Sequence, residues 1–194
     1  MQKRAFIIHG WDGYPEEGWF PWLKSELEKR GFIVQVPTMP HAENPTIDDW
    51  VEHLTKLIGT PDENTYLVGH SIGCQTILRY LQSINNEIGG VVLVAGWLLR
   101  LTGDLSQEEI EIAKPWIETP IDYEKVKQST KNIVCIFSDD DPFVLLKENK
   151  VEFETRLNAK TIVEFKKGHF SGSDGITELP RLLEELGKMS NGNN

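Results

Sequence analysis

A doubly wound parallel α/β sheet is the architecture this chain encodes, and three observations lead to it. Short, continuously apolar runs such as Ala5-Phe6-Ile7-Ile8 and Val91-Val92-Leu93-Val94-Ala95-Gly96 alternate with longer stretches whose apolar residues recur at helical spacing. The connections between them are of ordinary length, and parallel neighbours need such helical crossovers. Thr65-Tyr66-Leu67-Val68-Gly69-His70-Ser71-Ile72-Gly73 then runs from an apolar segment through Gly-x-Ser-x-Gly into the helix-like Cys74 to Tyr80, so strand, sharp turn and helix follow one another directly.

In chain order, Ala5 to Ile8 reads as a strand buried on both faces, closed by the turn-forming His9-Gly10-Trp11-Asp12-Gly13. Trp19, Phe20, Trp22, Leu23 and Leu27 share one side of a helix from Trp19 to Arg30, which Gly31 ends. Phe32 to Val36 is the second strand, and Pro37, Pro40 and Pro45 keep the next segment extended. Thr46-Ile47-Asp48-Asp49 opens a helix with Trp50, Val51, Leu54, Leu57 and Ile58 on one face. The Gly-x-Ser-x-Gly strand and helix come next, and Gly89-Gly90 introduces the fourth strand, Val91 to Gly96. From Leu98 to Lys131 the strand-helix rhythm lapses into a small insertion over the sheet's end, with a capping box at Ser106-Gln107-Glu108-Glu109 and a short amphipathic run at Tyr123 to Lys127. Asn132 to Phe137 and Thr161 to Phe165 are the last strands, with a helix around Leu145 to Leu157 between them and a final helix marked by Leu179, Leu182, Leu183 and Leu186.

The 194 residues, 39% hydrophobic, suffice for one buried core and are too few for two comfortable domains. One domain over residues 1–189 is expected, with 190–194 as a disordered tail. A net charge of -10 repels phosphate backbones and anionic lipid, which argues against nucleic acid and membrane surfaces as partners. No apolar run is long enough to span a bilayer, and the run after Met1-Gln2-Lys3-Arg4 stops at His9-Gly10 rather than forming a signal sequence. Cys74 and Cys135 sit where small buried hydrophobes sit and form no disulfide framework, which fits a reducing cytoplasm.

Five loci fall just past strand ends, where such sheets gather their functional groups: His9 to Gly13, Ser71, Trp97, Asp141 and His169. Gly69 and Gly73 lack a Cβ and let strand and helix close tightly while Ser71 between them is held strained, its hydroxyl outward. A serine hydroxyl needs a base, and the base needs an acceptor that fixes its tautomer. His169, after Gly168 and the last strand, is the candidate base, and the order Ser, Asp, His along the chain is the α/β-hydrolase order. Asp141 is favoured as acceptor because Pro142 keeps it out of the following helix, with Asp139 and Asp140 as the other candidates. The backbone N–H groups of Ile72 and Trp11 are candidate donors to an oxyanion. Trp11, Trp97 and Phe170, beside this site in the chain reading, are candidates to line an apolar acyl pocket, whereas Trp19, Trp22 and Trp50 belong to helix faces. No cluster with metal-ligand spacing joins the aspartate run, and no dinucleotide fingerprint is present, so neither metal nor cofactor is expected.

His9-Gly10-Trp11, Trp19-Phe20-Pro21-Trp22-Leu23, Gly69-His70-Ser71-Ile72-Gly73, Asp140-Asp141-Pro142-Phe143 and Gly168-His169-Phe170 together resemble the small YdeN / retinoblastoma-binding-protein-nine group of α/β-hydrolases, over nearly the whole chain. The resemblance implies a minimal α/β-hydrolase with a six-stranded parallel sheet and a Ser-Asp-His triad, with Ser71 in the place of the nucleophile, Asp141 of the acid and His169 of the base. It also implies a small carboxylester or related acyl substrate. The chain lacks a Leu-x-Cys-x-Glu motif, so the group's name implies no binding of pocket proteins here. The expectation is a cytoplasmic serine hydrolase working through an acyl-Ser71 intermediate. A binding or scaffold protein on a hydrolase core, and an acyltransferase, are the alternatives.

Overall fold

A computed structural model describes residues 2–192; Asn193 and Asn194 of the expected tail lie outside the described residues. Six strands, β1 (Arg4–Ile8), β2 (Ile33–Gln35), β3 (Thr65–His70), β4 (Gly90–Val94), β5 (Ile133–Ser138) and β6 (Lys160–Glu164), form one sheet in the order β2-β1-β3-β4-β5-β6. Every neighbouring pair is parallel. The crossovers are α1 (Phe20–Lys29), α2 (Ile47–Ile58), α3 (Ile72–Leu81), α4 (Gln107–Glu118), α5 (Tyr123–Ser129) and α6 (Leu146–Leu157), and α7 (Pro180–Ser190) follows β6. Ser190, expected in the tail, is the last residue of α7.

The continuous apolar runs are explained by two cores, one on each face. Phe6, Ile8, Leu67, Val91, Leu93, Cys135 and Phe137 pack against α2, α3, α5 and α6. Their chain neighbours Ala5, Ile7, Val68, Val92, Val94, Val134 and Ile136 pack against Phe20, Leu23 and Leu27 of α1 and Leu182, Leu183 and Leu186 of α7. Alternate residues thus face opposite covered sides, and each fully buried Val, Leu, Ile or Phe contributes about 1.5–3 kcal/mol. Local signals set the helix starts. Thr46 Oγ1 accepts from the Asp49 N–H ahead of α2, and the Ser106/Glu109 capping box opens α4; each such cap is worth about 1 kcal/mol. β4 ends at Val94, earlier than expected, because Ala95 turns into the left-handed region at φ 49°.

The chain runs from β1 outward to β2 and then returns across β1 to β3. That reversal opens a crevice between the carboxyl ends of β1 and β3, where open α/β sheets bind their ligands. The His9–Gly13 turn and Ser71 both emerge there.

Candidate active site

Ser71 follows the last residue of β3 and caps α3 with φ 52° and ψ -120°, outside the ordinary allowed regions for a side-chain-bearing residue. Close packing enforces this. A Cβ on Gly73 would lie 2.5 Å from the Ile8 carbonyl oxygen, and one on Gly69 2.9 Å from the Cys74 nitrogen. The Ser71 N–H donates to the Val94 carbonyl at 2.9 Å, anchoring the turn to β4. Its hydroxyl makes no capping bond to α3 and remains available. This is the sharp strand-turn-helix elbow expected from the chain.

The turn after β1 comes up against the elbow. A Cβ on Gly10 would sit 3.0 Å from His70 Nδ1 and 3.4 Å from Ser71 Cβ, so only glycine lets this backbone approach so near. His9 is buried beneath the turn; Nδ1–H donates to the Gly10 carbonyl at 2.7 Å and Nε2 accepts the Met39 N–H at 3.0 Å. Burial pushes its pKa below the usual histidine value. The Asp12 N–H donates to Ala42 and the Gly13 N–H to Gly10, whereas the N–H groups of Trp11 and Ile72 have no backbone acceptor among the described residues. Ile72 opens α3, so its N–H also lies at the positive end of the helix dipole.

The third component is the loop after β6. Its backbone is held by acceptors at the end of β5 and beyond: Lys166 N–H on Asp139 (2.8 Å), Lys167 N–H on Ser138 Oγ (3.0 Å), and Gly168 N–H on Asp140 (2.9 Å). The Ser138 hydroxyl and the Gly168 N–H hold the Asp140 carboxyl below the usual carboxylate range. Asp141 alone of the three consecutive aspartates reaches the imidazole, with Oδ2 2.9 Å from His169 Nδ1. Its Oδ1 accepts the N–H groups of Phe143 and Val144 at 2.9 and 3.0 Å. Since a carboxylate oxygen facing these donors can only accept, Nδ1 carries the hydrogen and Nε2 is left as the basic nitrogen.

Ser71 and His169 line one cleft of about 190 Å³. No hydrogen bond joins the hydroxyl to the imidazole among the described residues, and in unliganded hydrolytic sites this bond commonly tightens only when substrate seats. Trp11, Leu101, Leu105 and Phe143 supply the apolar walls, and Asp12, Glu17 and Glu109 add carboxylates. Leu101 and Leu105 come from the segment expected as an insertion: its start lies over the sheet's end, while α5 packs beside the sheet against α3 and α6 as a crossover. Their lining role carries no local sequence signature.

Two expectations are corrected. Trp97 is 1% and Phe170 0% exposed, and neither ring lines the cleft. After the left-handed turn at Ala95, Trp97 points into the core beneath α3 and only its carbonyl bonds, to Gln75 Nε2 at 2.8 Å. Phe170, at φ 59°, drives its ring into the core on the opposite face while its carbonyl accepts the Trp19 indole N–H at 3.0 Å. A position past a strand end brings the backbone to the site; φ and ψ decide where the side chain goes. Cys74 and Cys135 are both buried and unpaired, and burial raises both thiol pKa values.

The family model described as serine hydrolase matches residues 5–188. The chain belongs to the serine hydrolase family. Among relatives of this serine hydrolase, YdeN of Bacillus subtilis (strain 168) is 32% identical over 188 residues, covering 96% of this chain and 95% of YdeN. The serine hydrolase RBBP9 of Rattus norvegicus is 29% identical over 186 residues, covering 94% and 95% of the two chains. The crystal structure of the ydeN gene product from B. subtilis superposes with a TM-score of 0.89 at 31% identity, covering 98% of this chain and 100% of that one. The six-stranded parallel sheet is thus an α/β-hydrolase fold. No helix among the described residues is long and apolar enough to cross a membrane.

Proposed function

We propose that this serine hydrolase cleaves a small carboxylester, or a related acyl compound, through an acyl-Ser71 intermediate, with His169 as general base and Asp141 as the group that orients it. The observation that carries this reading is the Asp141-His169 pair, 2.9 Å apart, opening onto the same cleft as a serine held at φ 52°.

Ser71 Oγ attacks the acyl carbon while His169 Nε2 takes its proton. Charge then develops on the former carbonyl oxygen, and the Trp11 and Ile72 N–H groups, otherwise without backbone acceptors, supply the hydrogen bonds it needs; one such donor is worth about 2.7–4 kcal/mol in the transition state. His169 returns the proton to the departing alkoxide, leaving acyl-Ser71 and an alcohol. Water, deprotonated by the same imidazole, attacks the acyl carbon; the adduct then breaks its bond to Ser71 Oγ, which takes the proton back from His169 Nε2 as the acid leaves. Asp141 stays ionised throughout and stabilises the imidazolium. These steps need neither a cofactor nor a partner protein, and the chain through Ser190, the end of α7, acts as one catalytic domain.

The narrow cleft and its Leu101, Leu105 and Phe143 walls favour a short apolar acyl group. Asp12, Glu17 and Glu109 disfavour an anionic one. Two buried free cysteines fit a reducing compartment such as the cytoplasm. The test is labelling with a fluorophosphonate probe: the wild type reacts at Ser71 and Ser71→Ala does not. An unlabelled wild type that still binds small acyl compounds would make the protein a binding module instead. Adding alcohol or amine acceptors to the assay distinguishes hydrolysis from transfer, since hydrolysis yields the free acid whatever the acceptor.

A further inference from the structure

His70 immediately precedes the nucleophile, and the steps above do not use it. Its residue surface is 4% exposed, and its ring packs edge-on against Trp19 and Phe20 at centroid separations of 6.2 and 6.1 Å. Nε2 lies 2.7 Å from the backbone carbonyl of His169. A carbonyl only accepts, so Nε2 carries the hydrogen and Nδ1 is a bare lone pair; Nδ1 has no partner among the described residues and faces the Gly10 backbone.

We infer that His70 is a positioning residue for the base: its Nε2–H grips the His169 main chain and so holds the His169 imidazole over Ser71. This rests on the reading of His169 as the base. The grip is short in both directions. One peptide bond joins His70 to the nucleophile, and one hydrogen bond joins it to the base, so the separation of Ser71 from His169 is set through a single rigid ring. The opposite side of the loop is held by the Asp174 carboxylate, which accepts the His169 N–H at 2.9 Å, and by Asp141 on Nδ1. Without His70 the carbonyl of residue 169 would lose its tie to the elbow, leaving Asp174 on the N–H and Asp141 on the ring, and the imidazole could shift relative to Ser71.

The ring also suits the site electrically. It lies 5.1 Å from the His169 ring, so a second cation there would oppose the imidazolium that forms during reaction. Burial above all, helped by the charges of the His169 and His9 rings and opposed by the hydrogen bond to the His169 carbonyl and by Asp174, lowers the His70 pKa to about 3. At neutral pH it is a donor without a charge.

Two substitutions separate this role from packing. His70→Phe keeps an aromatic ring against Trp19 and Phe20 and loses the donor; His70→Gln loses the ring and keeps an N–H near the Nε2 position. Positioning predicts that kcat for p-nitrophenyl acetate, and the rate of fluorophosphonate labelling, fall roughly 10- to 100-fold in His70→Phe with KM within about twofold, and that His70→Gln recovers most of the loss. Packing predicts the reverse order, and that result, or a His70→Phe variant as fast as wild type, overturns the inference. If wild type itself is not labelled, the reading of Ser71 and His169 fails and this role with it; if wild type labels and the variants match it, the positioning role alone fails. A long-range proton-nitrogen spectrum of the wild type needs no variant: it should show His70 as the Nε2–H tautomer, not titrating between pH 5 and 8. An Nδ1–H tautomer, or protonation in that range, overturns the inference.

Discussion

The elbow and the base loop reach the same cleft by different means. Ser71 is held by sterics within one short segment and by the backbone it presses on: glycines on both sides, the Ile8 carbonyl 2.5 Å from where a Gly73 Cβ would lie, and one N–H bond to Val94. His169 is held by hydrogen bonds, most of them from far along the chain: Asp141 on its ring and His70 on its carbonyl, with Ser138, Asp139 and Asp140 on the three residues before it, and the nearby Asp174 on its N–H. Repulsion at short range leaves the nucleophile little room to move. Hydrogen bonds worth about 0.5–1.5 kcal/mol each, or 1.5–3 to charged groups, hold the base cooperatively and individually weakly. The elbow should therefore break all at once and the base loop by degrees.

The largest effect expected from breaking either half is on chemistry. Asp141→Asn presents an N–H toward His169 Nδ1, favours the wrong tautomer and should lower kcat about 10⁴-fold, measured by ester hydrolysis of a correctly folded variant. On the elbow side, Gly73→Ala should cost on the order of 3 kcal/mol in urea unfolding, because backbone rather than a movable side chain occupies the space. Acid should come next. The native His70 resists protonation down to about pH 3, while the unfolded chain takes up the proton near pH 6.5, so this contribution is complete above pH 6.5 and is lost as pH falls toward 3. Between pH 6.5 and 4.5 the wild type should lose on the order of 2 kcal/mol more than His70→Gln; the buried His9 contributes with the same sign but is present in both proteins. Smallest of these is Asp140→Asn, which weakens one of several ties on the loop and should lower kcat roughly threefold to tenfold. An Asp140→Asn loss as large as that of Asp141→Asn would mean that the loop depends on one tie rather than many.

The same difference explains what could be read from the chain. The elbow, the capping box at Ser106 and the alternation of β1, β3, β4 and β5 residues between two cores are properties of neighbours a few positions apart, and each is visible in the residues themselves. The aspartate run shows the boundary. Pro142 favours Asp141 as the loop acceptor, but the division of labour, with Asp139 and Asp140 taking backbone N–H groups and Asp141 taking the imidazole, depends on where β6 delivers residues 166–169. Trp97 and Phe170 lie across it. Chain position put both near the site, and left-handed turns at Ala95 and at Phe170 itself sent both rings into the core.

Residue order alone settles the alternation of strands and helices, the strained serine between two glycines and the sequence of candidate groups along the chain, since these follow from local sterics and periodicity. Folding settles which carboxylate meets the imidazole, which side chains wall the cleft and which buried ring grips the base loop. Those contacts join residues 28 and 99 positions apart, and only the packed sheet brings such partners together.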